Sequence, residues 1–221
     1  MLPRLLEPEV MDTPAEAQGY DAMDHTAPNR AFVDRLHHLR AAGKMLDLGT
    51  GPGHIPLLIA AENPSAKIMA VDLSLEMLLI ARAKLAATTF AHRIEFQLAD
   101  VKALPFDDHS FHTVFSNTIL HHIPQPLAML SEAWRVLKPG GVLFIRDLYR
   151  PASESRLDEL VALHTVGCDA HQRRMFRDSL HAALTPDELR TLAREAGMSG
   201  VEIVVDTDRH MSLQRRATII Q

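Results

Sequence analysis

One cysteine, Cys168, stands in a chain of 221 residues. No internal disulfide can form, and a cysteine-rich zinc site is excluded. No run of Lys or Arg is longer than two residues and the net charge is −5. The linear sequence therefore lacks the basic stripe that a nucleic-acid groove needs. Long apolar runs are missing as well: none approaches the roughly 20 residues of a membrane-spanning helix. The opening Met-Leu-Pro-Arg-Leu-Leu-Glu-Pro-Glu puts acids and prolines where a signal peptide would be apolar. These absences lead us to expect a cytoplasmic protein that binds neither nucleic acid nor membrane. What is present is ordinary for a globular protein, with 47% apolar and 23% charged residues. The length suffices for one large α/β domain with a full core.

Short apolar runs alternate with amphipathic segments, the pattern of βαβ units and a mostly parallel sheet. We expect strands near 44–48, 67–71, 93–98, 112–116, 141–147, 201–206 and 209–218. Residues 1–18 read as an arm, and 28–40 as a helix with Phe32, Leu36 and Leu39 on one stripe. Ser74 can cap a helix over 75–87. Pro126 suits the first turn of a helix over 126–137, which Pro139-Gly140-Gly141 stops. Thr185-Pro-Asp-Glu188 is a capping-box signal, and Gly197 can close the helix it starts. Residues 152–183 exceed the bare alternation. Leu157, Leu160, Val161 and His164 line one helical face; Met175, Phe176, Ser179, Leu180 and Ala183 line another. No repeat or second core is visible, so we expect a single domain over 1–221. Within it, 1–40 would be an arm and gate helix, and 152–183 a helical lid inserted after the fifth strand.

The local chemistry centres on Asp47-Leu-Gly49-Thr-Gly51-Pro-Gly53-His54. A strand, a glycine-rich turn and an apolar helix in succession make a nucleotide-type turn. The glycines allow a tight bend and close approach of a ligand to backbone N–H groups. The dinucleotide fingerprint wants its third glycine at 54, where His stands. Asp72 ends the second strand about 20 residues on, where a carboxylate can accept both hydroxyls of a ribose. Asp100 ends the third strand, a position on which the dinucleotide pattern makes no demand.

Five ordered blocks carry a closer likeness: Leu-Asp-Leu-Gly-Thr-Gly-Pro-Gly, Val-Asp-Leu-Ser-Leu-Glu-Met-Leu, Ala-Asp-Val with Leu-Pro-Phe, Val-Phe-Ser-Asn-Thr-Ile-Leu-His-His, and Arg-Val-Leu-Lys-Pro-Gly-Gly. Over roughly 44–147 the chain resembles the class I S-adenosylmethionine-dependent methyltransferases. The resemblance implies a Rossmann-like, doubly wound sheet of seven strands with the last antiparallel. It implies S-adenosylmethionine as the cofactor, which has no phosphate and needs no basic residue at the turn. Asp47 and Gly49, Thr50, Gly51 and Gly53 would surround its methionine part. Asp72 would hold the ribose, Leu73 and Met77 would pack on the adenine, and Asp100 with the Val101 N–H would meet the adenine edge. Asn117 would lie near the sulfonium. Tyr20 resembles the aromatic residue of an N-terminal gate; packing of the arm is the alternative. The stretches Leu-Glu-Pro-Glu-Val-Met-Asp, Asp-Leu-Tyr-Arg-Pro and Asp-Arg-His also resemble a bacterial methyltransferase subgroup.

Methyl transfer from a sulfonium is an in-line displacement, so neither a nucleophile nor a metal is required. A base is needed only if the acceptor must lose a proton. His121 is the candidate base, with His122 beside it; the alternative is one imidazole bonded to loop backbone and the other solvated. Arg150, Phe176, Arg209 and His210 are candidates to line the acceptor pocket, against a plain reading as turn chemistry and packing. No Asn/Asp-Pro-Pro-Tyr/Phe block follows the fourth strand, which disfavours amino methylation of bases. The lone Cys168 does not suit a cysteine-dependent base methylase. A small-molecule acceptor is the expectation that remains. The competing readings are a non-catalytic cofactor-binding module and a nucleotide-dependent oxidoreductase; His54 and the Asp100 block count against the latter.

Overall fold

The computed structural model describes residues 2–7 and 12–218. Pro8 to Met11, inside the stretch Leu-Glu-Pro-Glu-Val-Met-Asp, lie outside the described residues. The seven strands are β1 (Lys44–Leu48), β2 (Lys67–Asp72), β3 (Ile94–Leu98), β4 (Phe111–Asn117), β5 (Leu137–Leu148), β6 (Glu202–Val205) and β7 (His210–Arg215). They form one sheet in the order β3-β2-β1-β4-β5-β7-β6. β1 to β5 pair in parallel, and β7 runs antiparallel to both β5 and β6. Strand order reverses between β1 and β4, and in open α/β sheets the crevice at the carboxyl ends of such a pair binds ligands.

The two faces of the sheet bury separate layers, as strand alternation requires. On one face Leu46, Leu48, Val114, Leu143 and Ile145 meet Met129, Leu130, Ala133 and Leu189. These last come from α5 (Pro126–Val136) and α8 (Pro186–Glu195). On the other face Met45, Ile68, Phe115 and Phe144 meet α2 (Thr26–His38), α3 (His54–Glu62) and α4 (Leu75–Ala86). The stripe Phe32, Leu36 and Leu39 is buried there, and the Phe32 and Phe144 rings lie 4.5 Å apart. The Ser74 hydroxyl caps α4 by accepting from the Met77 N–H. Thr185 and Glu188 form the reciprocal capping box of α8.

Three local expectations are corrected. The arm contains a helix, α1 (Pro14–Asp21), capped by a Thr13/Glu16 box of the same design as that of α8. Helix α5 ends at Val136, and Pro139-Gly140-Gly141 lies within β5. A Cβ on Gly141 would sit 2.6 Å from the His112 carbonyl oxygen, so this glycine permits close backbone approach instead of stopping a helix. The last strand is shorter than expected: its pairing with β5 runs from His210, opposite Leu148, to Arg215, opposite Leu143, and stops there.

The insertion forms α6 (Glu154–His164) and α7 (Ala170–Ala182). Their inner faces make a satellite core: Leu157, Leu160, Leu180 and Ala183 with Leu148 from β5, flanked by Leu2, Val161 and Phe176. No helix among the described residues is long and apolar enough to cross a membrane.

Candidate active site

A cavity opens at the carboxyl ends of β1, β2, β3 and β4. The glycine turn forms its floor. Gly49, Gly51 and Gly53 all have positive φ, which glycine adopts without steric penalty. Two of them also have no room for a side chain. A Cβ on Gly49 would lie 2.5 Å from Ile119, and one on Gly53 would lie 2.9 Å from Phe96. Gly51 differs: a Cβ there would meet only the edge of Tyr20, at 4.0 Å. Its missing side chain leaves ligand space between the turn and the Tyr20 ring.

Asp72 sits at the end of β2 and is partly buried. Its Oδ2 accepts from the Gly51 N–H at 2.7 Å and its Oδ1 from the Ser74 N–H at 2.9 Å. Burial raises its pKa, against the pull of these donors. Each oxygen keeps a second lone pair for an incoming hydroxyl. Asp47, on β1, is 2% exposed. Burial, with Asp72 nearby, pushes its carboxyl up to about 7. Asp100 accepts from the Lys102 N–H at 2.8 Å and pairs with the Lys102 ammonium at 3.0 Å. Burial opposes ionisation, but the Lys102 contacts prevail and lower its pKa. Leu73, Met77 and Val101 supply apolar wall next to these carboxylates, and Thr50 and Asn117 also line the cavity. Asn117 Oδ1 is buried without a hydrogen-bond partner among the described residues. An orphaned buried acceptor at a cavity wall is a place for a ligand donor.

Tyr20 covers the turn, stacked on His25 with ring centroids 4.6 Å apart. Helix α1 is clamped there through Asp21, which pairs with His54 at 2.7 Å and with Lys84 on α4. His25, Asn29, His54, Thr118, Ile119 and Ile123 also line the cavity and were missed by sequence reasoning. Thr118 and Ile119 follow Asn117 directly and could have been inferred from it. His25 and Asn29 carry no local signal.

The other candidates are placed differently. His122 lines the cavity; His121 does not. The His121 ring is 4% exposed and held behind His122, its Nδ1 2.5 Å from Asp147 Oδ1. Its backbone N–H donates to the other Asp147 oxygen at 3.1 Å. Burial disfavours the imidazolium, but Asp147 outweighs it and raises the pKa of His121. The same pairing lowers that of Asp147 against its own burial. The expectation that His121 faces an acceptor is therefore corrected: the two rings lie side by side with centroids 4.1 Å apart, but Asp147 holds His121 behind and only His122 reaches the cavity.

Arg150 is also corrected. It is 4% exposed and donates to the Leu2 carbonyl at 2.9 Å, the Ala183 carbonyl at 2.7 Å and Glu188 Oε1 at 2.5 Å. These contacts join the arm, α7 and α8, away from the cavity. Arg209 contacts His164 and Asp208 in the terminal turn. His210 lies beside it, and burial together with Arg146 and Arg209 pushes its pKa down to about 3. Neither lines the cavity. The same holds for Met175, Phe176 and every other residue of 152–183. The lid expectation fails because the two helices satisfy their apolar faces on each other and on Leu148.

Comparison with known proteins decides the family. The family described as "Methyltransferase domain" matches residues 39–197, well over half of the chain. The chain belongs to the class I S-adenosylmethionine-dependent methyltransferases. A demethylmenaquinone methyltransferase of Roseiflexus castenholzii is 30% identical over 201 residues, covering 84% of this chain and 82% of the relative. One of Symbiobacterium thermophilum is 34% identical over 145 residues, covering 62% of this chain; the chain spans only 57% of its length. Among solved structures, Haemonchus contortus phosphoethanolamine N-methyltransferase 2, in complex with S-adenosylhomocysteine, aligns with a TM-score of 0.63 at 25% identity. That alignment covers 81% of this methyltransferase chain and 38% of the other.

Proposed function

We propose that this methyltransferase transfers the methyl group of S-adenosylmethionine to a small-molecule acceptor at the His122 end of the cavity. One observation carries the reading: the glycine turn, Asp72, Asp100 and Asn117, from four different strand ends, converge on one cavity. The cofactor supplies a methyl group already activated on a sulfonium. The chain's own task is to bind, align and exclude water. In this reading Asp72 accepts the ribose hydroxyls. Leu73, Met77 and Val101 sandwich the adenine, with Asp100 and the Val101 N–H at its edge. Gly49 to Gly53, Thr50 and Asp47 take the methionine end, and Asn117 Oδ1 lies near the sulfonium. Tyr20 closes over the turn. Ile119, Ile123, His25 and His122 bound the acceptor space. A cytoplasmic setting follows from the same reading.

The relatives suggest the acceptor class without fixing it: their names include a quinone precursor and arsenite, both small molecules. No observation favours a non-catalytic module. Methyl incorporation from labelled S-adenosylmethionine into a metabolite extract is the direct test. Transfer confined to macromolecules, or none at any pH, would refute the proposal.

Asp47 makes a finer prediction about pH. In the unliganded protein its carboxyl is about half protonated near pH 7. The cofactor's ammonium group would favour the carboxylate. Binding should then release protons, about half a proton at pH 7 and close to one at pH 6. The apparent affinity should fall as pH drops below about 7. Calorimetry in two buffers of different ionisation enthalpy reads the number directly. Zero release at pH 6 would mean that Asp47 does not face the ammonium.

A further inference from the structure

At the His122 wall of the cavity lies a cluster of three potential metal ligands, for which methyl transfer from a sulfonium has no requirement. Glu7, from the N-terminal segment, places Oε1 3.3 Å from His121 Nε2 and 3.2 Å from His122 Nδ1. All three ligand atoms lie within 4.8 Å of one another. We propose that Glu7, His121 and His122 form a three-ligand site for a divalent transition-metal ion of the zinc type, adjoining the acceptor end of the cavity.

Three features carry the inference. The first is spacing. A tetrahedral ion bound at about 2.0–2.1 Å to nitrogen and oxygen holds its ligands about 3.3 Å apart. The Glu7 separations match that edge. They are too long for charge-assisted hydrogen bonds, which run to about 2.7–2.9 Å. Two other imidazole–carboxylate pairs, His54–Asp21 and His164–Asp208, close to 2.7 Å, while the more exposed His181–Glu154 pair stays at 3.4 Å.

The second feature is the state of the carboxylate. Glu7 Oε2 accepts from the Ser179 hydroxyl at 3.3 Å. Its Oε1 is buried and accepts no aligned hydrogen bond among the described residues, though it points at two imidazole nitrogens. A monodentate ligand needs one such oxygen. The third feature is support from behind. His121 Nδ1 donates to Asp147 at 2.5 Å, which orients Nε2 toward Glu7. A carboxylate behind a ligating histidine fixes its tautomer and raises its basicity.

Two imidazoles and one carboxylate suit zinc, cobalt or nickel better than magnesium or calcium, which prefer all-oxygen shells. Three protein ligands leave a fourth position open, the pattern of non-structural sites. Arg4 lies close by, but its guanidinium is spent on the carbonyls of Ala182, His121 and Ile123. With Glu7 and Asp147 ionised and Arg4 charged, a divalent ion leaves one net positive charge. An anionic fourth ligand, such as hydroxide, thiolate or phenolate, would neutralise it. The site also ties the N-terminal segment to the turn that carries His122.

The test uses the full chain stripped with chelator, then titrated with Zn2+ by calorimetry and with Co2+ by visible absorption. The expected result is one equivalent bound at micromolar Kd or tighter, with the absorption of tetrahedral cobalt. Glu7→Ala and His122→Ala should each weaken binding at least about 100-fold. Asp147→Asn should weaken it about 10- to 100-fold. Glu7 and His122 are less enclosed than His121, so their variants are the ones to rely on for folding. S-Adenosylmethionine titration of the same samples reports separately on the cofactor reading. Absence of a Zn2+ or Co2+ equivalent in the wild-type chain would overturn the proposal. So would an equivalent kept at full affinity in both Glu7→Ala and His122→Ala, since scattered surface histidines would then be the ligands.

Discussion

Replacing Asp72 by alanine is expected to weaken S-adenosylmethionine binding by about 1.5–3 kcal/mol, roughly 10- to 150-fold in Kd. The loss has two sources. The ribose hydroxyls lose a charged acceptor, where hydrogen bonds are at the strong end. The Gly51 and Ser74 N–H groups also lose the carboxylate that holds them, so the turn and the start of α4 are no longer tied together. Asparagine is not a neutral control, because its amide NH2 would face one of those two N–H donors. Melting curves separate the effects: loss of the ties lowers stability in the free protein, while loss of the ribose contact appears only in the titration. An Asp72→Ala variant that binds the cofactor as the parent does would remove Asp72 from the site.

A second large effect is expected at Arg150, on stability and not on the site. Its guanidinium is enclosed and joins three segments through the Leu2 carbonyl, the Ala183 carbonyl and Glu188. Arg150→Ala should cost about 3–5 kcal/mol of unfolding free energy, the range for removing one member of a buried charged pair. The upper part of that range is less accessible here because Glu188 is 41% exposed and water can take over its oxygen. Lysine should rescue only in part, since one ammonium cannot reproduce the forked geometry. Cofactor affinity should change little, as Arg150 lines no part of the cavity. Denaturant midpoints and cofactor titrations on both variants check this. Wild-type stability together with an altered acceptor KM would return Arg150 to the acceptor pocket.

Much of this arrangement was legible before any coordinates. The alternating pattern specifies parallel strands, and parallel strands put all their carboxyl ends on one edge. Glycines after β1 and single acids at the ends of β2 and β3 must therefore meet, whatever the packing details. Local capping chemistry was equally readable at Ser74 and Thr185, where a side chain bonds a backbone three residues away. The same signal stands at Thr13-Pro-Ala-Glu16, inside the stretch that reads as an arm, and repeats that of Thr185-Pro-Asp-Glu188.

The histidine pair marks the boundary. The sequence placed His121-His122 after β4, at the correct edge, but a short turn has no periodicity from which to read which ring faces inward. Asp147, 26 residues later, and Glu7, more than a hundred residues earlier, settle that orientation through space. Arg150 and the 152–183 helices failed as site predictions for the same reason. Their positions near the carboxyl edge were right to a few residues, yet direction was decided by partners in Leu2, Ala183, Glu188 and Leu148, which no local pattern names. Sequence by itself determined the strand alternation, the glycine turn and the carboxylates at the strand ends, because these follow from chain geometry over a few residues. Only the tertiary structure decided which side chains turn into the cavity and which turn away. That choice depends on hydrogen-bond and packing partners contributed by distant segments.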